Sequence, residues 1–179
     1  MKKIVVINFF IALIGFQNSI SAQQIEAPNL EFVCELKVTT DKPISLGETA
    51  HGIRRMIDIT GGTFEGPKMK GIVLRGGADY QYANKANTRT EIEAIYTIKT
   101  DDSVLIHIRN VGLSIKTPEN AAKIAKGEPM DVSKNYFRAA PKFEAPMDSK
   151  YAWLNDAIFI CKGIGTNKGY VIIQVWKVL

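Results

Sequence analysis

Asp79 and Gln81 are the residues of this sequence whose types and spacing best suit chemistry. They lie two positions apart in the strand-like segment ADYQY, directly after a Gly-Gly pair. Alternate side chains of a strand point to the same side, so the carboxyl and amide groups should face one way and Tyr80 and Tyr82 the other. If the tyrosines pack outside, Asp79 lies in an apolar interior, where its pKa rises toward that of a general acid or base. The alternative is that Asp79 only hydrogen-bonds the neighbouring turn amides.

Two arginines are the cations expected near such a carboxyl group. These are Arg54 and Arg138, the second within the segment YFR. The forked guanidinium of Arg138 can pair with Glu144, with Glu65 or with the carboxylate of a ligand. Structural ion pairing is the alternative interpretation, and Glu144 is a second candidate acid or base.

The segment YAWLN, residues 151–155, combines two aromatic rings and an amide at a bend before a strand. These side chains either line an opening that stacks on a flat ligand or form a packing plug over one end of the fold. The candidate ligand-binding residues are Arg54, Glu65, Asp79, Gln81, Tyr136, Arg138, Glu144, Trp153 and Asn155, with Asp79 and Glu144 as the candidate catalytic groups.

The sequence lacks the motifs of several other kinds of chemistry. There is no nucleophile elbow and no Ser/His/Asp arrangement, and the glycine-rich segments lack the spacing of phosphate-binding loops. The two cysteines and two histidines are scattered and make no metal-site pattern. We therefore expect no cofactor and no metal. Cys34 and Cys161 are expected either as buried free thiols or as a disulfide, which export would permit.

The N-terminal segment resembles a secretory signal peptide. Lys2 and Lys3 precede an apolar run of 13 residues, and Ala22 suits cleavage. That run is shorter than the roughly 20 residues that span a membrane. We therefore predict that residues 1–22 are removed on export to the periplasm or beyond, and that residues 23–179 form one domain without stable membrane insertion. The net charge of +5 is mild and shows no basic run with interleaved aromatics, so nucleic-acid binding is not expected.

The rest of the chain reads as a succession of strands around the glycine-rich segment 61–82. One short helix is expected, capped by Thr117, with Pro118 in its first turn and Gly127 past its end. Pro141 calls for an edge, bend or bulge in its strand. Predicted strands cover residues 30–39, 51–60, 71–75, 78–83, 90–99, 104–113, 136–144, 157–164 and 169–178.

This pattern predicts an all-β fold of about eight to ten strands in antiparallel succession, with one short helix. Either a β-sandwich or a closed β-barrel fits. The barrel is favoured because it leaves no edge for apolar strands such as YVIIQVWKV to expose. An outer-membrane barrel is disfavoured by the helix, the irregular middle strands and charges on both strand faces.

Three segments in combination resemble one known family: GGTFEGPKMKGIVLRGGADYQ, YFRAAPKFEA and YAWLNDAIFICKGIG. The sequence looks like domain-of-unknown-function family 3237, also called uncharacterised protein family 0311, over roughly residues 30–178. The resemblance implies a small antiparallel β-barrel of the ligand-holding kind, with no named activity. Tyr80 stands where the family often has tryptophan, and the signal peptide departs from many relatives that look cytosolic.

Three functions remain open. Binding of a small organic molecule is favoured, and the alternatives are a cofactor-free isomerase, cyclase or lyase that uses a pocket carboxylate, and a rigid scaffold or interaction protein. The first two predict an apolar cavity onto which Asp79, Arg54 and Arg138 converge, whereas a scaffold predicts a filled interior. The oligomeric state is left open.

Overall fold

The computed structural model describes residues 25–179, so the predicted signal peptide lies outside the described residues. The described chain forms ten strands, one α-helix and two short 3₁₀-helices. The strands are β1 (Leu30–Thr40), β2 (Ile44–Thr49), β3 (Gly52–Glu65), β4 (Lys70–Val73), β5 (Gly77–Ala83), β6 (Arg89–Thr100), β7 (Leu105–Ile115), β8 (Tyr136–Glu144), β9 (Phe159–Gly165) and β10 (Tyr170–Val178). Helix α1 is Pro118–Ala125, and the 3₁₀-helices are Val132–Lys134 and Ala152–Asp156.

Eight of the strands close into an antiparallel barrel. Strand β1 pairs with β10 on one side and with β3 on the other, and the ring continues through β5, β6, β7, β8 and β9. Strand β2 extends outward from β3, and β4 bridges β3 and β6 beside β5. The predicted all-β antiparallel barrel with one short helix is therefore confirmed.

Strand β8 shows how the sequence encodes this wall. Its residues alternate between outward and inward positions, and Ala139, Pro141 and Phe143 are buried. Strand β8 pairs with β7 along its whole length, but its pairing with β9 covers only the positions of Arg138 and Ala139. A proline has no N–H to donate to a ladder, so the separation from β9 agrees with the predicted irregularity at Pro141.

The barrel end where β9 begins is packed solid. The rings of Phe143 and Phe159 meet edge to face with centroids 4.9 Å apart. Leu154, from the second 3₁₀-helix, is 1% exposed and closes this end together with the buried ring of Tyr151. The interior is thus filled at this end, and a cavity lies toward the opposite end.

Cys34 and Cys161 are buried free thiols. Both pair with Val175 of β10, one from each side. Two strand spacings separate their Cα atoms by about 9.5 Å, which exceeds the roughly 7 Å limit for a disulfide. The disulfide alternative is therefore wrong, and the free-thiol alternative holds.

The glycine-rich centre differs from the prediction in one respect. The predicted strand ended at Thr60, but β3 continues through Gly61 and Gly62 to Glu65. Gly62 has φ of +141°, and a Cβ atom there would lie 2.1 Å from the Lys37 carbonyl oxygen. Glycine therefore lets β3 pass close to β1 while β3 changes its pairing partner from β5 to β4.

Strand β2 was not predicted at all, and every residue in it is exposed.

Helix α1 begins and ends where the sequence predicted. The Thr117 hydroxyl accepts a hydrogen bond from the Asn120 backbone N–H, and Gly127 follows the helix with φ of +70°. Buried Asn120 donates to the Asp131 carbonyl at 2.7 Å and to Asn135 Oδ1 at 2.8 Å. The helix thereby fixes the segment between α1 and β8.

Within residues 25–179, no helix has the length and apolar character needed to cross a membrane.

Candidate functional site

A cavity of about 210 Å³ lies inside the barrel at the end where β9 turns into β10. Its walls are mainly aliphatic and aromatic, and a few polar side chains interrupt them. Such a wall with few polar groups is typical of small-molecule sites, although the volume falls below their usual range of about 300–1,000 Å³. Its lining residues include Ile57, Ile59, Asp79, Gln81, Ile92, Ala94, Tyr96, Asn110, Phe137 and Ile173.

Asp79 is the only acidic residue lining this cavity among the described residues. Strand β5 places it opposite Ile57 of β3 and Ala94 of β6. Its Oδ2 atom accepts a hydrogen bond from Gln81 Nε2 at 2.6 Å. Its Oδ1 atom is buried and has no hydrogen-bond partner in the described structure. An unpaired buried carboxylate oxygen is costly, so this atom is available to a ligand.

The surroundings of Asp79 change its protonation. Burial raises its pKa from 3.8 to about 6, and the hydrogen bond from Gln81, the positive charge of Arg55 and the backbone N–H of Glu93 offset part of that rise. Burial also raises the pKa of Tyr96, with smaller contributions from the two cysteines and Asp79. The cavity thus pairs a carboxyl group that titrates near neutrality with a phenol that stays protonated.

A second open space adjoins the cavity and is called the vestibule here. Gln81, Ile92, Phe137 and Gly165 line both spaces. The vestibule adds two cations and several neutral polar groups, and no acidic residue among residues 25–179 lines it. Its remaining lining residues are Arg55, Thr90, Ser114, Lys116, Met130, Val132 and Asn135.

Close packing beside Gly163 positions Phe137 between the two spaces. A Cβ atom on Gly163 would lie 2.1 Å from the Phe137 ring, so the ring occupies the room that a side chain would need. Glycine in β9 therefore lets an aromatic ring of β8 form part of the cavity wall.

The cation whose charge acts on Asp79 is Arg55, which lines the vestibule, and not the predicted Arg54. Arg54 points outward, with its guanidinium 4.0 Å from the centre of the Tyr82 ring and 5.6 Å from that of Tyr80. Arg55 lies opposite Gln81 on the neighbouring strand. A signal for this was present, because Arg55 shares a strand face with the interior residue Ile57.

The other charged candidates lie outside the cavity. Arg138 is exposed, stacks 5.2 Å from the ring of exposed Tyr136 and donates to the Phe137 carbonyl. Glu144 is exposed opposite His107, and Glu65 is exposed at the end of β3. The predicted convergence of Arg54 and Arg138 on Asp79 is thus wrong, because alternation along the strands directs these side chains outward.

Trp153 and Asn155 belong to the packed end of the barrel. The Trp153 ring lies 6.0 Å from that of Phe159. Asn155 accepts a hydrogen bond from the Ala145 N–H and donates to its carbonyl oxygen, both at 2.9 Å. Of the two alternatives for this segment, the structure agrees with the packing plug.

Sequence reasoning missed most of the polar residues of the cavity and vestibule, and four of them illustrate why. Thr90 and Asn110 are buried polar side chains on otherwise apolar strand faces, and that contrast was readable in the sequence. Tyr96 shares the interior face of β6 with Thr90 and Ile92, so alternation places it inside, whereas the position of Lys116 depends on barrel closure. Residues 25–179 contain no cluster of three or more His, Cys, Asp or Glu side chains able to hold a metal ion.

Comparison with known proteins agrees with this barrel. Residues 28–178 match the family described as a protein of unknown function, DUF3237. A UPF0311 protein from Rhodopseudomonas palustris is 35% identical over 154 residues, which cover 85% of this chain and 99% of the relative.

Several solved structures share the fold of this chain. The crystal structure of the R. palustris protein has a TM-score of 0.77 at 32% identity, covering 87% of this chain and all of that one. A β-barrel-like protein from Acinetobacter baumannii has a TM-score of 0.75 at 30% identity, covering 88% and 99%. An enzyme from Penicillium herquei, at 20% identity, a TM-score of 0.63 and coverage of 87% and 98%, shares the fold. The chain therefore belongs to the DUF3237 family, whose members are also called UPF0311 proteins.

Proposed function

We propose that the barrel binds a small organic molecule in its cavity and that Asp79 contacts the polar part of that molecule. The observation that carries this proposal is the buried Oδ1 atom of Asp79, which faces an apolar cavity without a partner. A scaffold would gain stability by filling this space and by replacing the carboxylate with an apolar side chain. A group retained at such a cost suits a role in recognition or chemistry.

The cavity suits a small and largely apolar ligand. Ile57, Ile59, Ile92 and Ile173 form apolar parts of its wall, and Tyr96 and Asn110 add polar groups. Asn110 Nδ2 donates to the Cys161 sulfur at 3.6 Å, and the Cys161 thiol lies 3.8 Å from Asn110 Oδ1. The lining thus offers apolar contacts, which favour affinity, and a few directed hydrogen bonds, which favour specificity.

Filling the cavity from its own wall tests this proposal. Ala94→Leu is expected to abolish binding of small aromatic and aliphatic compounds, because the new side chain occupies ligand space beside Asp79. Ala140→Leu places the same side chain on the exposed face of β8 and should bind like the wild type. Calorimetric titration against a fragment panel measures both variants. Equal binding by the two variants would contradict the proposal.

A second candidate function is proton transfer without a cofactor. It is favoured by one observation: the pKa of Asp79 is about 6, near the pH at which a general acid or base is most effective. Asp79→Asn would then eliminate turnover while binding persists. Loss of binding together with turnover would instead assign Asp79 to recognition alone.

We also propose that residues 1–22 direct export, so that the barrel meets its ligand outside the cytoplasm. The support is the sequence of that segment: two lysines, an apolar run and Ala22. The intact mass of the protein recovered from a periplasmic or culture fraction should correspond to residues 23–179. A full-length mass confined to the cytoplasm would contradict this.

A further inference from the structure

The vestibule contains two cations that face the same space. Arg55 and Lys116 are both half-buried, and they approach this space from β3 and from the segment after β7. Among residues 25–179, no carboxylate oxygen lies within 4.0 Å of either charged group. Most other buried or half-buried charges in proteins are paired, so this pair lacks its expected counter-charge.

The electrostatics show that the two cations oppose each other. Burial lowers the pKa of Lys116, and the charge of Arg55 lowers it further. Burial also lowers the pKa of Arg55, while Asp79 raises it. The charge of Asp79 thus offsets part of the charge of Arg55, and Lys116 has no compensating carboxylate among residues 25–179 even when Asp79 is ionised.

The hydrogen bonds of both cations leave donors free. Arg55 Nη2 reaches Thr90 Oγ1 at 3.4 Å, and Arg55 Nε is buried without an acceptor. Lys116 Nζ reaches Asn87 Oδ1, also at 3.4 Å. Contacts of this length are weak compared with charge-assisted hydrogen bonds of about 2.7–2.9 Å. An anion between Arg55 and Lys116 would replace them with stronger bonds.

We propose that Arg55 and Lys116 bind the carboxylate of a small organic acid whose apolar part occupies the adjoining cavity. This inference rests on the proposed function and names its ligand class. A carboxylate carries the single negative charge that the vestibule lacks, whereas a phosphate monoester would bring about −2. Gln81 and Phe137 line both spaces, so one molecule spans them, with its acid group in the vestibule and a largely apolar body in the cavity whose polar substituent meets Asp79.

The test compares matched acids and amides. The probes are the phenylalkanoates from benzoate to 4-phenylbutyrate, the corresponding neutral amides, and phenethyl phosphate. At pH 7 and low salt, the best acid is expected to bind about tenfold or more tightly than its amide, since charge-assisted bonds to two cations discriminate between them. Arg55→Gln and Lys116→Gln should each remove most of this preference, while amide affinity stays unchanged and reports an intact cavity.

Two charge-matched controls accompany these variants. Arg54→Gln changes the residue before Arg55, whose side chain faces outward. Lys142→Gln changes an exposed lysine of β8. Both should keep the wild-type preference for the acid.

The outcomes separate the two proposals. Equal binding of acid and amide, or a preference that survives in both vestibule variants, would overturn the carboxylate assignment and leave the cavity proposal standing. Tighter binding of phenethyl phosphate would overturn the assignment of a monoanion. Failure of every acid and amide to bind would overturn both proposals.

Discussion

Asp79→Asn is expected to make the protein about 3 kcal/mol more stable than the wild type at pH 7. Burial raises the pKa of Asp79 from 3.8 to about 6, and each pKa unit corresponds to about 1.36 kcal/mol. The ionised carboxylate therefore opposes folding at neutral pH. An asparagine keeps the shape, can still accept from Gln81, and removes the buried charge.

The sign of the pH dependence follows from proton linkage. Between about pH 4 and pH 6 the folded state binds a proton at Asp79 that the unfolded state has released, so stability falls as pH rises through this window. Above this window the loss of stability is complete. Below it, Asp79 is protonated in both the folded and the unfolded state. The groups that face Asp79 are Gln81, Arg55 and Tyr96, and none of them gains a proton in this window.

Urea unfolding from pH 4 to pH 8 measures this effect. The free-energy difference between Asp79→Asn and the wild type should be near zero at the acid end and grow to its full size by pH 7. Asp58→Asn, at an exposed position of β3, serves as the control and should follow the wild type. A destabilised Asp79→Asn protein at pH 7 would show that the carboxylate is structural.

Gly62→Ala is expected to destabilise the barrel by roughly 3 kcal/mol or more. The backbone at Gly62 has φ of +141°, and the added Cβ atom would lie 2.1 Å from the Lys37 carbonyl oxygen and 3.1 Å from Val38 Cα. Strain of a side chain in this region costs about 1–3 kcal/mol, and the collision with β1 adds to it. Both obstacles are backbone atoms at the β1–β3 closure, so they cannot move aside as a flexible side chain would.

Gly76→Ala separates the cost of the backbone conformation from the cost of the collision with β1. Gly76 has φ of +109°, but a Cβ atom there would meet nothing within 4 Å. It should therefore show only the conformational cost, and chemical denaturation of the two variants gives the difference. Equal losses of stability at the two positions would show that the collision with β1 adds nothing to the cost of Gly62→Ala.

Much of the fold was predictable because each wall strand carries its own alternation. Residues 136–144, for example, alternate cleanly, and the predicted strand has the observed bounds. The exceptions have a physical cause. Gly61 and Gly62 look like a strand end in sequence, yet they lie inside β3 because a neighbouring strand needs the space. Strand β2 pairs only with β3 and buries nothing, so it leaves no apolar pattern to detect.

The candidate site was predicted in part. Asp79 and Gln81 share an interior face because alternation within a single strand decides it. The choice between Arg54 and Arg55 required the same rule for β3, where apolar Ile57 and Ile59 mark the inner face. Lys116 could not be assigned, because its approach to Arg55 depends on how β7 and β3 are placed by barrel closure.

The central claim is that the cavity binds a small molecule, and isoleucine methyl spectra test it. Ile57, Ile59, Ile92 and Ile173 line the cavity, whereas Ile44, Ile72, Ile158 and Ile160 are exposed outside it. We expect titration with the phenylalkanoate series to shift the methyl signals of the first group and leave the second unchanged. Shifts confined to the outer isoleucines, or no shifts with any compound in the series, would contradict the claim.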